Sequence, residues 1–168
     1  SPHFSHLLNN ISELNKALAK DPDLLSNTRL TDITLKGVVL KNGTIKNTRW
    51  RNVEFDNPVF ENVEISDGNW FGIRFRNMKL KQVTFDDVFM AVNKSVIYDN
   101  TSDHSGNTEF FYGVMDNVIF KNSTLKAVQI ERFKNSNITF NNIKVVNDPK
   151  SYTDNTTDLS SIGYIQGN

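Results

Sequence analysis

The chain has 168 residues, enough for one domain with a hydrophobic core and short for two. Its 19 lysine and arginine residues equal its 19 aspartate and glutamate residues, so the composition provides no overall attraction to nucleic acid or anionic membrane. The absence of cysteine excludes disulfides, thiolate metal sites and cysteine nucleophiles. No apolar run approaches the roughly 20 residues of a membrane span, so the sequence predicts neither a nucleic-acid nor a membrane partner.

The first segment, residues 1–27, is predicted to hold one amphipathic α-helix over residues 4–19. Its apolar residues share one helical face; they are Phe4, Leu7, Leu8, Ile11, Leu14 and Leu18. Asp21-Pro22 should end the helix. We expect this helix to cap the repeated structure that follows it, whose first turn would otherwise expose apolar core and unpaired strand. Binding to a partner helix or a membrane surface is the weaker alternative, because the polar face is not basic.

A five-residue repeat follows the helix and predicts the fold. Stepping by five from Leu30 gives large apolar residues only, namely Leu30, Leu35, Leu40, Ile45, Trp50, Phe55, Phe60, Ile65, Trp70, Phe75, Leu80, Phe85 and Met90. Two residues after each comes a turn former; this column is Asp32, Gly37, Asn42, Asn47, Asn52, Asn57, Asn62, Asp67, Gly72, Asn77, Gln82 and Asp87. All of these except Gln82 are residue types that tolerate left-handed backbone angles.

This spacing predicts a coil with four corners. In each group of five, two residues separated by one point inwards as in a short strand, and the turn residue then bends the chain. Four corners close a coil of about 20 residues, and coils stack at the strand spacing of about 4.8 Å. Trp50 should therefore lie over Leu30 and under Trp70.

Residues 20 apart outside the coil should form ladders in which charges alternate in sign. The first predicted ladder is Lys36, Asp56 and Arg76, and the second is Lys41, Glu61 and Lys81. We interpret them as solvated ion pairs, each worth about 1 kcal/mol or less.

At this point the sequence resembles the pentapeptide-repeat family. The resemblance rests on Asn-Val-Glu-Phe-Asp at 52–56, Asn-Pro-Val-Phe-Glu at 57–61 and Asn-Val-Glu-Ile-Ser at 62–66, and it covers about 30–147 with one interruption. It implies an all-β fold, a single-stranded right-handed quadrilateral β-helix, here with an N-terminal capping α-helix. The chain departs from the family in using valine or isoleucine where alanine is commoner, and the resemblance implies no activity.

The repeat region, residues 28–147, is interrupted after Met90. The core slots at Ser95, Asn100 and Ser105 are polar, and residues 100–107 have the composition of a loop. The pattern resumes at Phe110 in the same five-residue phase. We predict a projecting loop at 91–107, with a degenerate coil as the alternative.

Two features near the C-terminal end depart from the pattern. Asn135 falls in a core slot, where a buried amide would need hydrogen-bond partners, and Phe133 could fill that space instead. The last segment, residues 148–168, is polar and unpatterned, so we interpret it as a C-terminal cap, tail or linker.

The search for chemistry predicts no catalytic, cofactor-binding or metal-binding residues. His3 and His6 could supply only half of a metal site. Asp103-His104-Ser105 contains the residue types of a hydrolase triad, but adjacency in sequence is not triad geometry. Because loops on rigid scaffolds often carry function, Asp103 and His104 are kept as candidate partner-binding residues.

Exposed aromatic residues are the more informative candidates. Phe71 and Phe89 should lie on one wall in adjacent coils, and Phe111 and Tyr112 should join them there if the phase continues through the interruption. Contiguous apolar surface marks interfaces, where aromatics are enriched. The alternative is that the 91–107 loop, the N-terminal helix or the tail packs over them.

A weaker apolar stripe is predicted on another wall. Its residues are Val39, Val59 and Ile119.

These observations favour a non-enzymatic protein-binding or scaffold module with a protein partner and no cofactor. The family resemblance implies that it could be a domain of a bacterial secreted effector, placed in the bacterial cytoplasm or secreted into a host cell. A homodimer through an end coil is a further option. The alternatives are a DNA-mimicking, topoisomerase-interacting protein, which needs a sustained acidic face, and a β-helix hydrolase of polysaccharides.

Overall fold

A computed structural model describes residues 2–93, 106–133, 137–146 and 165–166. Two helices, α1 (Pro2–Leu8) and α2 (Ile11–Lys20), precede the strands. The strands are β1 (Arg29–Lys36), β2 (Val39–Asp56), β3 (Val59–Ala91), β4 (Glu109–Lys126), β5 (Gln129–Phe133), β6 (Ile138–Val146) and β7 (Ile165–Gln166). All the pairings between these strands are parallel, and together they form a mostly β solenoid with a short helical N-terminus.

The prediction of a single helix over residues 4–19 is wrong, because the helical segment breaks at Asn9 and Asn10. The side chain of Asn10 accepts a hydrogen bond from Glu13 N at 3.2 Å and so acts as the N-cap of α2. The apolar spacing continues through the break, which is why a pattern of hydrophobic residues alone did not reveal it.

The predicted stacking of coils is confirmed. Leu30 pairs with Trp50, and Trp50 pairs with Trp70, each 20 positions further on. The thirteen predicted core residues from Leu30 to Met90 are all buried, as are Phe110, Met115, Phe120, Leu125 and Ile130 beyond the interruption. Identical inward slots therefore stack into continuous columns of side chains.

The corners lie where the turn formers predict them. Every residue of the predicted turn column has a positive φ, between 52° and 83°. Asparagine side chains also link successive corners: Asn47 Nδ2 donates to Asn27 Oδ1 at 2.9 Å, and Asn62 Nδ2 donates to Asn42 Oδ1 at 2.9 Å. These bonds explain why asparagine dominates the column, since it both tolerates the left-handed conformation and pairs with its counterpart in the next coil. The hand of the coil stays a prediction.

Aromatic rings fill the core in stacks. The rings of Phe55 and Phe75 are 5.0 Å apart and nearly parallel, and those of Phe75 and Phe110 repeat this arrangement at 5.0 Å. The indoles of Trp50 and Trp70 are also stacked at 5.0 Å. Stacking at about the coil spacing lets each ring contact its neighbours above and below.

The N-terminal segment covers the first coil, as predicted. Asn15 Nδ2 donates to Gly37 O at 2.9 Å, and Asn15 Oδ1 accepts from Val39 N at 2.9 Å. Thr44 N donates to Asp23 Oδ1 at 2.9 Å. These side chains satisfy backbone groups that the first coil would otherwise leave unpaired.

The interruption changes the pairing distance. Arg74 pairs with Glu109 and Met90 with Leu125, an offset of 35 positions, after which the offset returns to 20 between β4 and β6. The strand that pairs with residues 74–90 therefore begins at Glu109. Residues 94–105 themselves lie outside the described residues, together with Ser95, Asn100, Asp103, His104 and Ser105.

At the C-terminal end, β7 pairs with β5, matching Ile165 with Glu131 and Gln166 with Phe133. Asn135 lies outside the described residues, as does most of the predicted tail.

Replacing Phe55 by alanine tests the assignment of inside and outside. Phe55 is fully buried against the rings of Trp50, Phe60 and Phe75, so Phe55→Ala should lower the free energy of unfolding by about 3–5 kcal/mol. The adjacent outward change Asp56→Ala should cost less than about 1 kcal/mol. Urea unfolding monitored by circular dichroism measures both; equal losses would contradict the assignment.

A candidate binding face of aromatic and arginine side chains

One wall of the solenoid, here called the Phe71 wall, carries the strongest candidate site. It is built on the inward column Leu30, Trp50, Trp70, Met90, Leu125 and Val145. Each of these residues has one outward neighbour before it and one after it, and the two resulting rows are Arg29, Arg49, Asn69, Phe89, Thr124 and Lys144, and Thr31, Arg51, Phe71, Ala91, Lys126 and Val146.

The column behind this wall is rigidly held. Trp50 Nε1 donates to Thr28 Oγ1 at 3.0 Å, and Trp70 Nε1 donates to Thr48 Oγ1 at 3.0 Å. Thr48 is buried, so the hydroxyl satisfies an indole N–H that would otherwise be unpaired in the core. Outward side chains on this wall therefore project from a fixed backbone.

Phe71 and Phe89 form an aromatic pair on the wall, as the sequence predicts. Their ring centroids are 6.0 Å apart and the rings are tilted by 56°. Phe71 is 37% exposed and Phe89 is half-buried. The described residues thus leave part of this pair accessible to a partner.

Three arginines extend the wall towards its N-terminal end. Arg29 and Arg49 are direct neighbours in register, and Arg51 is the neighbour of Phe71. All three are exposed, and no ion pair with a described carboxylate involves them. Their positive charges are therefore available to solvent or to a ligand.

The Phe71 wall differs from the others in the sign of its charges. Its two outward rows hold no described aspartate or glutamate, whereas Lys36, Asp56 and Arg76 alternate in register on the next wall. The register of this ladder is as predicted, but no ion pair between described residues joins Lys36 to Asp56 or Asp56 to Arg76, and Arg76 instead lies against Glu54 and Glu109. Lys144 adds an exposed cation, while Lys126 is buried. Among the described residues, Asp32, Asp67 and Asp87 lie at the corners that border this wall.

The expected placement of Phe111 and Tyr112 on the same wall is wrong. Phe111 pairs with Arg76, five residues beyond Phe71 and on the next wall. The five-residue phase survives the interruption, but an offset of 35 moves every later residue onto a different wall from the one an unbroken count of 20 gives. Tyr112 sits at a corner with φ 57° and is 43% exposed. The Arg76 guanidinium carbon lies 5.8 Å from the Phe111 ring centroid, a cation–π contact.

The same shift removes Ile119 from the predicted apolar stripe. Val39 pairs with Val59 as expected, but Ile119 pairs with Thr84 on another wall.

The two ends of the interruption meet at the corner beside Phe71. Asn93 N donates to Gly106 O at 2.8 Å. Thr108 Oγ1 donates to Ala91 O at 2.9 Å and accepts from Ile73 N at 3.2 Å. A Cβ on Gly72, whose φ is +69°, would lie 2.7 Å from Asn93 Cβ, so the residue at this corner must be glycine for the chain to leave and return there.

A partly buried ion-pair cluster lies next to this junction. Arg74 Nε is 3.3 Å from Glu54 Oε1, and Arg74 Nη1 donates to Asn52 Oδ1 at 3.0 Å. Arg76 Nε is 3.1 Å from the same Glu54 oxygen, although without hydrogen-bond geometry, and Arg76 Nη2 is 3.6 Å from Glu109 Oε2. The Arg74 and Glu109 side chains are only 7% and 5% exposed. Two cations facing two carboxylates lower the cost of burying each charge.

Of the other candidate residues, the structure describes only the side chain of His6. His6 is exposed on α1, and no group of three or more His, Asp or Glu residues in the described ranges could hold a metal ion. Asp103 and His104 lie outside the described residues. Neither described helix is long and apolar enough to cross a membrane.

Sequence reasoning missed the three exposed arginines of the Phe71 wall and the ion-pair cluster for different reasons. The stacking of Arg29 and Arg49 follows from the count of 20 and could have been found by comparing charges wall by wall. The contact between Arg76 and Glu109 depends on an offset of 35, which the sequence does not reveal.

Comparison with models of known protein families gives no match, and no curated protein shows significant similarity to the chain.

Arg74, which is buried, and Arg51, which is exposed, provide a test of this geometry. Arg74→Ala leaves Glu54 with less charge compensation in a partly buried position, so it should lower the free energy of unfolding by about 2–3 kcal/mol. Arg51→Ala removes an exposed side chain and should change it by less than about 0.5 kcal/mol. Urea unfolding of both variants measures the difference; similar small effects would contradict the burial of the cluster.

Proposed function

We propose that this chain is a non-enzymatic protein-binding or scaffold module that uses the Phe71 wall as its contact surface. The observation that carries the proposal is the accessible Phe71–Phe89 pair on a rigid wall, flanked by exposed arginines. Aromatic residues and arginine are the side chains most enriched at the centres of protein interfaces. We further propose that the solenoid is the right-handed square coil of pentapeptide-repeat proteins, which the five-residue spacing of the corners supports.

The rigidity of the scaffold supports this function. Side chains on paired strands with buried neighbours are held more precisely than side chains on loops. A binding surface of this kind loses little conformational entropy when a partner docks. The solenoid thus provides a preformed face.

A DNA mimic is less well supported by the described walls. Such a protein needs a sustained acidic face, but charges alternate along the Lys36 ladder and the outward rows of the Phe71 wall carry cations. A bacterial effector role stays a proposal from family resemblance alone.

Two variants matched in exposure test the proposed surface. Phe71→Asp places a charge in the middle of the aromatic pair, while Ile119→Asp makes the same change at another outward position that is also 37% exposed. Affinity capture from host-cell and bacterial lysates, followed by a binding measurement with the purified partner, should show at least tenfold weaker binding for Phe71→Asp only. A loss of about 1.4 kcal/mol corresponds to that factor.

Thermal unfolding by circular dichroism provides the folding control for both variants. Equal retention of the same partner by both variants would show that the contact surface lies elsewhere. Equal loss with intact folding would contradict the special role of Phe71.

A further inference from the structure

We propose that the Phe71 wall binds an acidic polypeptide segment, with its carboxylates on Arg29, Arg49 and Arg51 and its apolar side chains on Phe71 and Phe89. This inference rests on the proposed protein-binding function and specifies the chemistry of the partner.

The stacked arginines are the first argument. Like charges directly opposite in neighbouring strands destabilise a sheet, and Arg29 lies directly opposite Arg49. On the next wall the ladder of Lys36, Asp56 and Arg76 instead alternates in sign. The Phe71 wall therefore keeps an unfavourable arrangement that a bound anion would relieve. Arginine suits this role because its planar guanidinium pairs with a carboxylate through two hydrogen bonds.

The distribution of charge along the wall favours a polypeptide over a nucleic acid. Beyond Arg51 the next exposed cation in the outward rows is Lys144, four coils away, or about 19 Å at the strand spacing. Asp67 and Asp87 occupy the corner beside this gap. A phosphate backbone running along the wall would lie uncompensated there and would be repelled, because nucleic-acid affinity depends on cations along the whole track.

A polypeptide can change from acidic to apolar residues at the point where the wall changes from arginines to the aromatic pair. Arg51 is in register with Phe71, so the aromatic pair begins one coil, about 4.8 Å, beyond the arginines. An extended peptide advances about 3.3 Å per residue. Two or three acidic residues followed within about two residues by bulky apolar ones would match both parts of the wall.

Selection from a displayed library of random 12-residue peptides tests the proposal on the full chain. The expected result is enrichment of acidic residues followed by aliphatic or aromatic residues. Binding of a selected, synthesised peptide should weaken at least tenfold in the double variant Arg49→Glu, Arg51→Glu, and it should weaken as salt concentration rises. The double variant should fold, because both side chains are exposed and the like-charge pair with Arg29 is removed.

The charge-reversal control is Lys79→Glu, Lys81→Glu, which reverses two exposed cations at the same spacing on another wall. Because Lys81 is in register with Asp116, this variant gains a like-charge pair, and circular dichroism must show that both double variants are folded before their binding is compared. This control should bind the peptide as the unmodified chain does. Equal weakening in both double variants would overturn the proposal, and so would selected peptides without an acidic block. A labelled 15-residue oligodeoxythymidine that bound more tightly than the peptide would also overturn it, in favour of a nucleic acid.

Failure of this inference can be distinguished from failure of the proposed function. A captured partner that is lost on Phe71→Asp but retained by the Arg49→Glu, Arg51→Glu variant would leave the protein-binding function standing and contradict the acidic partner. A partner insensitive to both changes would contradict the Phe71 wall altogether.

Discussion

The structure depends on parallel pairing between residues 20 positions apart. This pairing is maintained because every fifth residue has left-handed backbone angles and turns the chain. The corner residues adopt positive φ, and several asparagines among them, such as Asn47 and Asn62, also join their counterparts in the coil below through a side-chain hydrogen bond. Once this register is fixed, inward residues must stack on inward residues, which produces the continuous columns of Trp50 on Trp70 and Phe55 on Phe75. Much of the free energy of burial comes from these columns, because each large ring contacts the rings above and below it.

Because of the same register, the residues that stabilise the coil differ from the outward residues that could contact a partner. The inward column and the corners are confined to a few residue types, whereas exposed outward positions such as Arg51 and Phe71 are under less packing constraint and can vary. On the Lys36 ladder this freedom is used for alternating charges, whereas on the Phe71 wall it is used for cations and an aromatic pair. Arg29 opposite Arg49 is unfavourable for the sheet alone. The binding role that we propose for this wall would account for that arrangement without any change in the core.

The sequence predicts the regular part of the fold well because the pattern is repeated many times. The thirteen large apolar residues spaced by five from Leu30 to Met90 are buried, and the turn formers that follow them adopt positive φ, as the period requires. Prediction failed where a single local feature, and not the repeated pattern, determines the structure. The Asn10 cap divides the N-terminal helix although the apolar spacing is continuous. The interruption keeps the five-residue phase but adds three groups of five to the offset, so Phe111 lies over Arg76 rather than on the wall of Phe71. The residue types within each group of five determine the five-residue phase. Only the pairing between coils determines on which wall the residues after the interruption lie.

An engineered disulfide tests this register most directly, since the chain contains no cysteine of its own. Lys81 and Asp116 are outward partners across the interruption, and neighbouring strands about 4.8 Å apart place their Cα atoms within disulfide range. Lys81→Cys, Asp116→Cys should form an intramolecular disulfide on mild oxidation, as should the control pair Lys41→Cys, Glu61→Cys within the uninterrupted coils. Formation in both pairs is the result expected from an offset of 35. A disulfide in the control pair alone would place Asp116 on another wall and contradict the account.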